Sequence, residues 1–381
     1  MGAVTEYYVN LATGNDTTGN GTSGNPWLTI QKALNTITRD ATNGDRINCA
    51  SSGTNSAALS FTTYSSGGGT QAAPLIIEGY TTTAGDGGRA AINCNGASFI
   101  NSAVVEGVYL CDLDLSNSNT GAGQPCVQLD KHSGLFRCTI RDAYYGYQLA
   151  NSYPHFCVAC GFTEIDQTAI LSDHEHDLIT DNWIVDGSTL KLGGYGISVP
   201  GTGANIHRNI ISLASGSAAS GIGCVSVITQ DASITHNSIF GPNGTGRGIY
   251  LVVGTGDPPA LVANNLIQGF NGAGGDGIEI SGTTRSAIVM DGNCVSDATT
   301  KYNLGENILL PMLDNESLSG NVFAFSGANT FANRFTYWAP LDVGNVWAGA
   351  FPQGSGRDKG AVQHVAAAAQ TLLISRKRRV I

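Results

Sequence analysis

Apolar residues between about positions 104 and 325 recur in a fixed relation to one polar position. Asn209, Asn237, Asn265, Asn293 and Asn321 stand 28 residues apart, and Asn182 lies 27 before Asn209. Each has one apolar residue three positions before it and another two after: Ile179/Ile184, Ile206/Ile211, Ile234/Ile239, Val262/Ile267, Met290/Val295 and Leu318/Phe323. Upstream, Cys111, Cys138 and Cys160 occupy the Asn place in similar surroundings, which makes nine units in all. Within a unit the apolar residues alternate over short stretches, as in Ile197-Ser-Val199, Val225-Ser-Val227 and Ile278-Glu-Ile280, between clusters of Gly, Asn, Asp and Ser. Period-two alternation between such clusters marks strands, whereas a helical solenoid needs longer runs of period 3.6.

The expected fold is therefore all-β: a right-handed, single-stranded parallel β-helix of about nine to ten rungs. Each rung holds three short strands and stacks one strand spacing, ~4.8 Å, from the next. An inward Asn can hydrogen-bond to its counterpart one rung away and tolerates the left-handed backbone of a tight bend. The Asn and Cys positions are thus read as a structural ladder.

Residues 1–48 break the pattern, because Trp27, Ile30, Ala33, Leu34 and Ile37 fall on one helical face and Pro26 suits a helix start. An amphipathic capping helix is expected there, followed by the solenoid over 49–363. Residues 364–381 differ again, apolar from His364 to Ile374 and then basic in Ser375-Arg-Lys-Arg-Arg-Val-Ile381. They read as an end cap or as an anchor to other subunits.

Composition narrows the function classes. With 41% hydrophobic and only 13% charged residues the chain does not suit disorder, and 51 glycines suit many tight turns. A net charge of −10 argues against a nucleic-acid partner. The N-terminus has no basic and apolar leader pattern, and no apolar run approaches the ~20 residues of a membrane span. Nine cysteines, an odd number in no disulfide-scaffold spacing, suit a reducing origin. Cys157-Val-Ala-Cys160 falls on inward positions and reads as packing.

Candidate chemistry is sparse. The row of outward residues that would face a substrate is read as Gln128, Gln148, Leu171, Ser198, Ser226, Tyr250 and Glu279, with one carboxylate and no cation. Asp173, Glu175 and Asp177 alternate and could share a face, as a glycosidase's paired carboxylates must, so they are the catalytic candidates. His174 and His176 lack a third ligand, and no metal site is expected. A second outward row, Arg137, Asp181, Arg208 and His236, precedes the ladder positions. Together with Trp183, Tyr250 and Glu279 it supplies the candidate carbohydrate-binding residues.

Tyr8-Val-Asn-Leu-Ala-Thr-Gly-Asn-Asp16, Gly19-Asn-Gly-Thr-Ser-Gly-Asn-Pro-Trp27 and Leu28-Thr-Ile-Gln-Lys-Ala-Leu34 resemble the opening of pectin-lyase-like β-helix proteins. Pro74-Leu-Ile-Ile-Glu-Gly-Tyr80 resembles an early rung of that superfamily, and Arg357-Asp-Lys-Gly-Ala-Val-Gln363 its last strand. The resemblance implies the fold and leaves the function open, since lyases, hydrolases, virion spikes and plain binders share it. Calcium is implied only in the lyase case; otherwise no cofactor is expected. The function expected is a virion- or assembly-associated spike, fibre or decoration protein of bacteriophage type that binds a polysaccharide or cell-surface glycan. It would contact other subunits through residues 364–381, with a homotrimer as the assembly typical of spikes, and sit in a particle that needs no Sec signal. The alternative is a polysaccharide lyase or glycoside hydrolase, secreted with its leader removed.

Overall fold

A computed structural model describes residues 4–318 apart from 56, 63, 65–68, 103–105, 119–122, 150–153, 173–176, 187–191, 201–202, 225–231, 254–259, 283–287, 305–311 and 314–315. Its strands stack into a parallel β-helix with three sheets. Among the described residues the first sheet holds twelve strands, running from Thr5–Asn10 through Asp45–Ala50 and Leu75–Tyr80 to Met312–Leu313. At about 4.8 Å per step that is a rod on the order of 50 Å. The second sheet runs through Leu113–Ser116, Trp183–Val185, Ile210–Ser212, Ser238–Phe240 and Cys294–Ser296. The third runs through Pro125–Leu129, Tyr195–Ser198, Ser220–Cys224, Arg247–Val253, Asp276–Gly282 and Thr300–Leu304. Thr139–Leu149 and Gly161–Ser172 cross from the second sheet into the third as single strands, bending at Asp142 and Glu164 with φ of 56° and 53°.

Alternation sets which side chains meet. Ile179, Ile206, Ile234, Val262 and Met290 fall on one inward column and Ile184, Ile211, Ile239, Ile267 and Val295 on another, and all are buried. Between these columns lies the Asn ladder. The backbone N and Nδ2 of Asn182 both donate to Oδ1 of Asn209 at 3.0 Å. Asn209 does the same to Asn237, Asn237 to Asn265, and Asn265 to Asn293. Each Nδ2 also donates to a carbonyl of the rung before, such as Ile179, Ile206 and Ile234. Repetition thus satisfies buried amides that singly would be costly. Asn321 lies outside the described residues.

Two details of the ladder differ from the sequence reading. The left-handed residue is the one before each Asn: Asp181, Arg208, His236 and Asn264 have φ between 55° and 59°. The chain bends there so that the next side chain can point inward. The column continues upstream through Cys160 and Cys138, but not through Cys111. Cys111 pairs with Phe136 and Thr139 with Asp114, which puts Leu113 opposite Cys138. Both Leu110 and Leu113 are inward, so a slip of two residues preserves the apolar alternation that the sequence offered as a guide.

The cap is the helix Ile30–Thr36, with Ile30, Ala33 and Leu34 buried and Trp27 and Ile37 buried beside it. It starts four residues beyond Pro26. Thr29 is its N-cap, its hydroxyl accepting from the Lys32 backbone N at 3.1 Å and donating to Asp16 Oδ2 at 2.7 Å.

Candidate active site on the third sheet

The third sheet repeats a four-residue unit, x-Gly-Ile-x, at 195–198, 220–223, 247–250 and 276–279. Its glycine and isoleucine face the core. A Cβ on Gly221, Gly248 or Gly277 would come within 2.4 Å of Ile239, Ile267 or Val295, so the core leaves no room for a side chain there. The flanking positions face out and form two rows. One row runs Asn101, Gln128, Gln148, Leu171, Ser198, Gly223, Tyr250, Glu279 and Asn303. Gly223, not Ser226, holds the sixth place; Ser226 lies outside the described residues. The other row runs Tyr195, Ser220, Arg247, Asp276 and Thr300.

Where the two rows meet between the Tyr195 and Thr300 rungs, polar groups concentrate. Arg247 Nε donates to Glu279 Oε2 at 2.5 Å, and its guanidinium lies 4.9 Å from the centre of the Tyr250 ring. Asn303 Nδ2 donates to Asp276 Oδ2 at 3.1 Å, and Ser281 Oγ donates to the Tyr250 hydroxyl at 3.3 Å. The Tyr195 ring fills the space a side chain at Gly223 would take. Burial holds the Tyr195 phenol above its ordinary range, helped by Tyr250 and Glu279 and opposed by Arg247. The hydrogen bond to Glu279 raises Arg247 further above an already high value.

The predicted site residues do not converge. Tyr250 and Glu279 belong to the cluster just described. Asp173 and Glu175 lie outside the described residues. Asp177 is fully buried: it accepts from the His155 backbone N at 2.9 Å, lies 3.2 Å from His155 Nδ1 and accepts from the Ser172 hydroxyl. It sits in the inward column that Ala204 continues, so it faces the core and not a substrate, which corrects its reading as a catalytic candidate. Arg137, Asp181, Arg208 and His236 occupy the left-handed bends between the first and second sheets, and Trp183 begins a second-sheet strand. There Arg137 is paired with Asp112, and Arg208 with Asp181 at 2.6 Å. The structure does not bring this group together with Tyr250 and Glu279.

Tyr195, Arg247, Asp276 and Asn303 were missed. For the first three the signal was the x-Gly-Ile-x unit, whose glycines at 196, 221, 248 and 277 are spaced 25, 27 and 29 and escape a search at a fixed period of 28, whereas Asn303 stands in Thr300-Lys-Tyr-Asn303 without that unit and is placed by its pairing with Glu279. Among the described residues no group of three or more His, Cys, Asp or Glu could hold a metal ion, and no helix is long and apolar enough to cross a membrane.

No protein-family model and no curated protein matches the chain. Among solved structures it is similar to one described as a glycoside hydrolase, at 9% identity and a TM-score of 0.51, over 83% of this chain and 96% of that one. It is also similar to the GH136 lacto-N-biosidase from Eubacterium ramulus, at 14% identity over 82% of this chain and 68% of that one, with a TM-score of 0.45. A third is pectate lyase Pel9A, at 13% identity over 95% and 97%, with a TM-score of 0.41. At such identities the likeness is one of fold.

Proposed function

We propose that the chain is a polysaccharide-degrading enzyme, a glycoside hydrolase, with Asp276 and Glu279 as its two carboxylates. The observation that carries this reading is the placement of both on one outward-facing stretch of strand, bracketed by Arg247, Tyr250 and Tyr195. The rest of the row, Gln128, Gln148, Leu171 and Ser198, is neutral. The two stand three residues apart on one strand, and Glu279 reaches back to Arg247, the rung neighbour of Asp276, so both carboxyl groups can flank one glycosidic bond. One carboxyl group protonates the glycosidic oxygen while the other takes a proton from the water that attacks the anomeric carbon. The carbon–oxygen bond to the leaving sugar breaks, and the oxygen of the water takes its place on the anomeric carbon. Arg247 fixes the Glu279 carboxylate, and the two tyrosines offer ring faces to the sugars on either side.

Elimination is less well served. A lyase needs a base for a sugar C5 proton, and both Tyr195 and Arg247 hold their protons more tightly than usual. Among the grounds for the virion-associated reading were residues 364–381, which lie outside the described residues, and a substrate face with a single carboxylate. Asp276 beside Glu279 removes the second of these reasons.

The test is incubation of the full chain with neutral and acidic polysaccharides, following reducing ends, ultraviolet absorbance of unsaturated products and the anomer first released. Glu279→Gln and Asp276→Asn should each lower turnover by about a thousandfold and leave folding intact. Unsaturated products, or full activity in both variants, would sink the assignment.

A further inference from the structure

A second cluster lies on the outer face of the first sheet, among its first three strands. Asn48 points outward from the strand Asp45–Ala50, since its neighbours Ile47 and Cys49 face the core. It is nevertheless fully buried, and neither its Nδ2 nor its Oδ1 has a hydrogen-bond partner. Around it on the same face stand Tyr8, Arg46 and Tyr80, which are half-buried, and Glu78, which is buried. Tyr8 and Tyr80 stand on the two strands either side of Asn48, and their rings meet edge to face at 6.5 Å. Glu78, the rung neighbour of Asn48, is paired with Arg46 at 3.3 Å. Stability alone favours an apolar residue in that place, because a buried amide with both ends unsatisfied loses its water bonds and gains nothing.

We propose that this cluster is a non-catalytic sugar-binding site, in which Asn48 takes a pair of neighbouring hydroxyls and a tyrosine ring stacks on the face of the same sugar. The proposal rests on the carbohydrate reading given above. An amide presents one acceptor and two donors side by side, which matches hydroxyls that each both donate and accept. Tyrosine supplies a flat apolar face with a polar tip. Arg46 and Glu78 add a donor and an acceptor at the rim. Rotation of Tyr8 or Tyr80, both partly exposed, uncovers the amide, and the motion is of the fast side-chain kind. Lying on a different sheet from Glu279, such a site holds a polymer to the rod without occupying the cleavage site.

The test uses native gels cast with xylan, galactomannan, alginate or hyaluronan, alongside turnover of a tetrasaccharide cut from the same polymer. Asn48→Leu and Tyr80→Ala should weaken retention by a polymer about tenfold and leave tetrasaccharide turnover unchanged. The Tm of Asn48→Leu should hold or rise, since it removes only an unpaired amide. Unchanged retention in both variants overturns the proposal, as does retention lost only where Tm collapses, or an unaltered chain retained by none of the four polymers. Retention that falls in the variants of a chain degrading no polymer removes the catalytic reading and leaves this site standing. Degradation with retention unaltered in both variants does the reverse.

Discussion

The two halves of the solenoid solve the same problem with different chemistry. From Asn182 to Asn293 the interior bend carries amides, and those of Asn182, Asn209, Asn237 and Asn265 are each bonded to the rungs on either side. From Leu113 to Cys160 the same place carries an alkyl group and thiols. Burial pushes the Cys138 and Cys160 thiols well above their ordinary range, with each other's sulfur nearby. Cys138 Sγ lies 3.3 Å from the Leu110 carbonyl, and the Cys160 backbone N donates to Asn182 Oδ1, where the ladder ends. An amide insists on one geometry in every rung, because any misfit strands a buried donor or acceptor. A thiol behaves as a small apolar group and tolerates rungs of unequal length. Turn length follows suit: 27–28 residues between ladder asparagines, but 25 from Leu113 to Cys138 and 22 from Cys138 to Cys160.

The comparison breaks most readily at its strong end. Asn237→Ala removes four hydrogen bonds and strands the backbone N–H of Asn209, so it should cost about 4 kcal/mol by chemical denaturation. Cys138→Ala, at the same place in the other half, leaves only a small cavity and should cost about 1–2 kcal/mol. Equal costs for the two would remove the distinction. Cys160→Asn would extend the ladder by a rung, donating to Asn182 Oδ1 as Asn182 does to Asn209, and should be stabilising by about 1 kcal/mol or neutral. A clear loss there would mean that the thiol half has set a backbone an amide cannot use.

The smallest effect is a pH dependence on the outer surface of the amide half. Burial first, and then Arg208, lower the pKa values of His207 and His236 below 6.5. Below about pH 6.5 the unfolded chain therefore binds more protons than the folded one, and stability falls as pH drops from there toward the folded values. Replacing both by Gln should flatten that part of the stability profile. An unchanged slope would place its origin elsewhere.

Legibility in the sequence followed the same divide. The amide half was read in register from Asn182 onward because its chemistry enforces even spacing. In the thiol half Cys111 was taken for Leu113, since alternation repeats every two residues and cannot detect a slip of two. The candidate site was only half visible. Tyr250 and Glu279 appeared as an outward row, but Asp276 and Arg247 sit three residues earlier, across an inward Gly-Ile pair at uneven spacing. Asp177 alternates with Asp173 and Glu175 like a residue of an outward face, and nothing local in the sequence shows that His155 and Ser172 enclose it from the neighbouring rung and strand.

The self-similar bonding of Asn209, Asn237 and Asn265 also bears on how such a chain changes length. A copied stretch of 28 residues, inserted between two ladder positions, meets above and below the same amides that it left. It should be accepted without rewriting its neighbours. Growth by tandem duplication is therefore open to the C-terminal half of the rod and closed to the N-terminal half, where each turn is fitted to its own place.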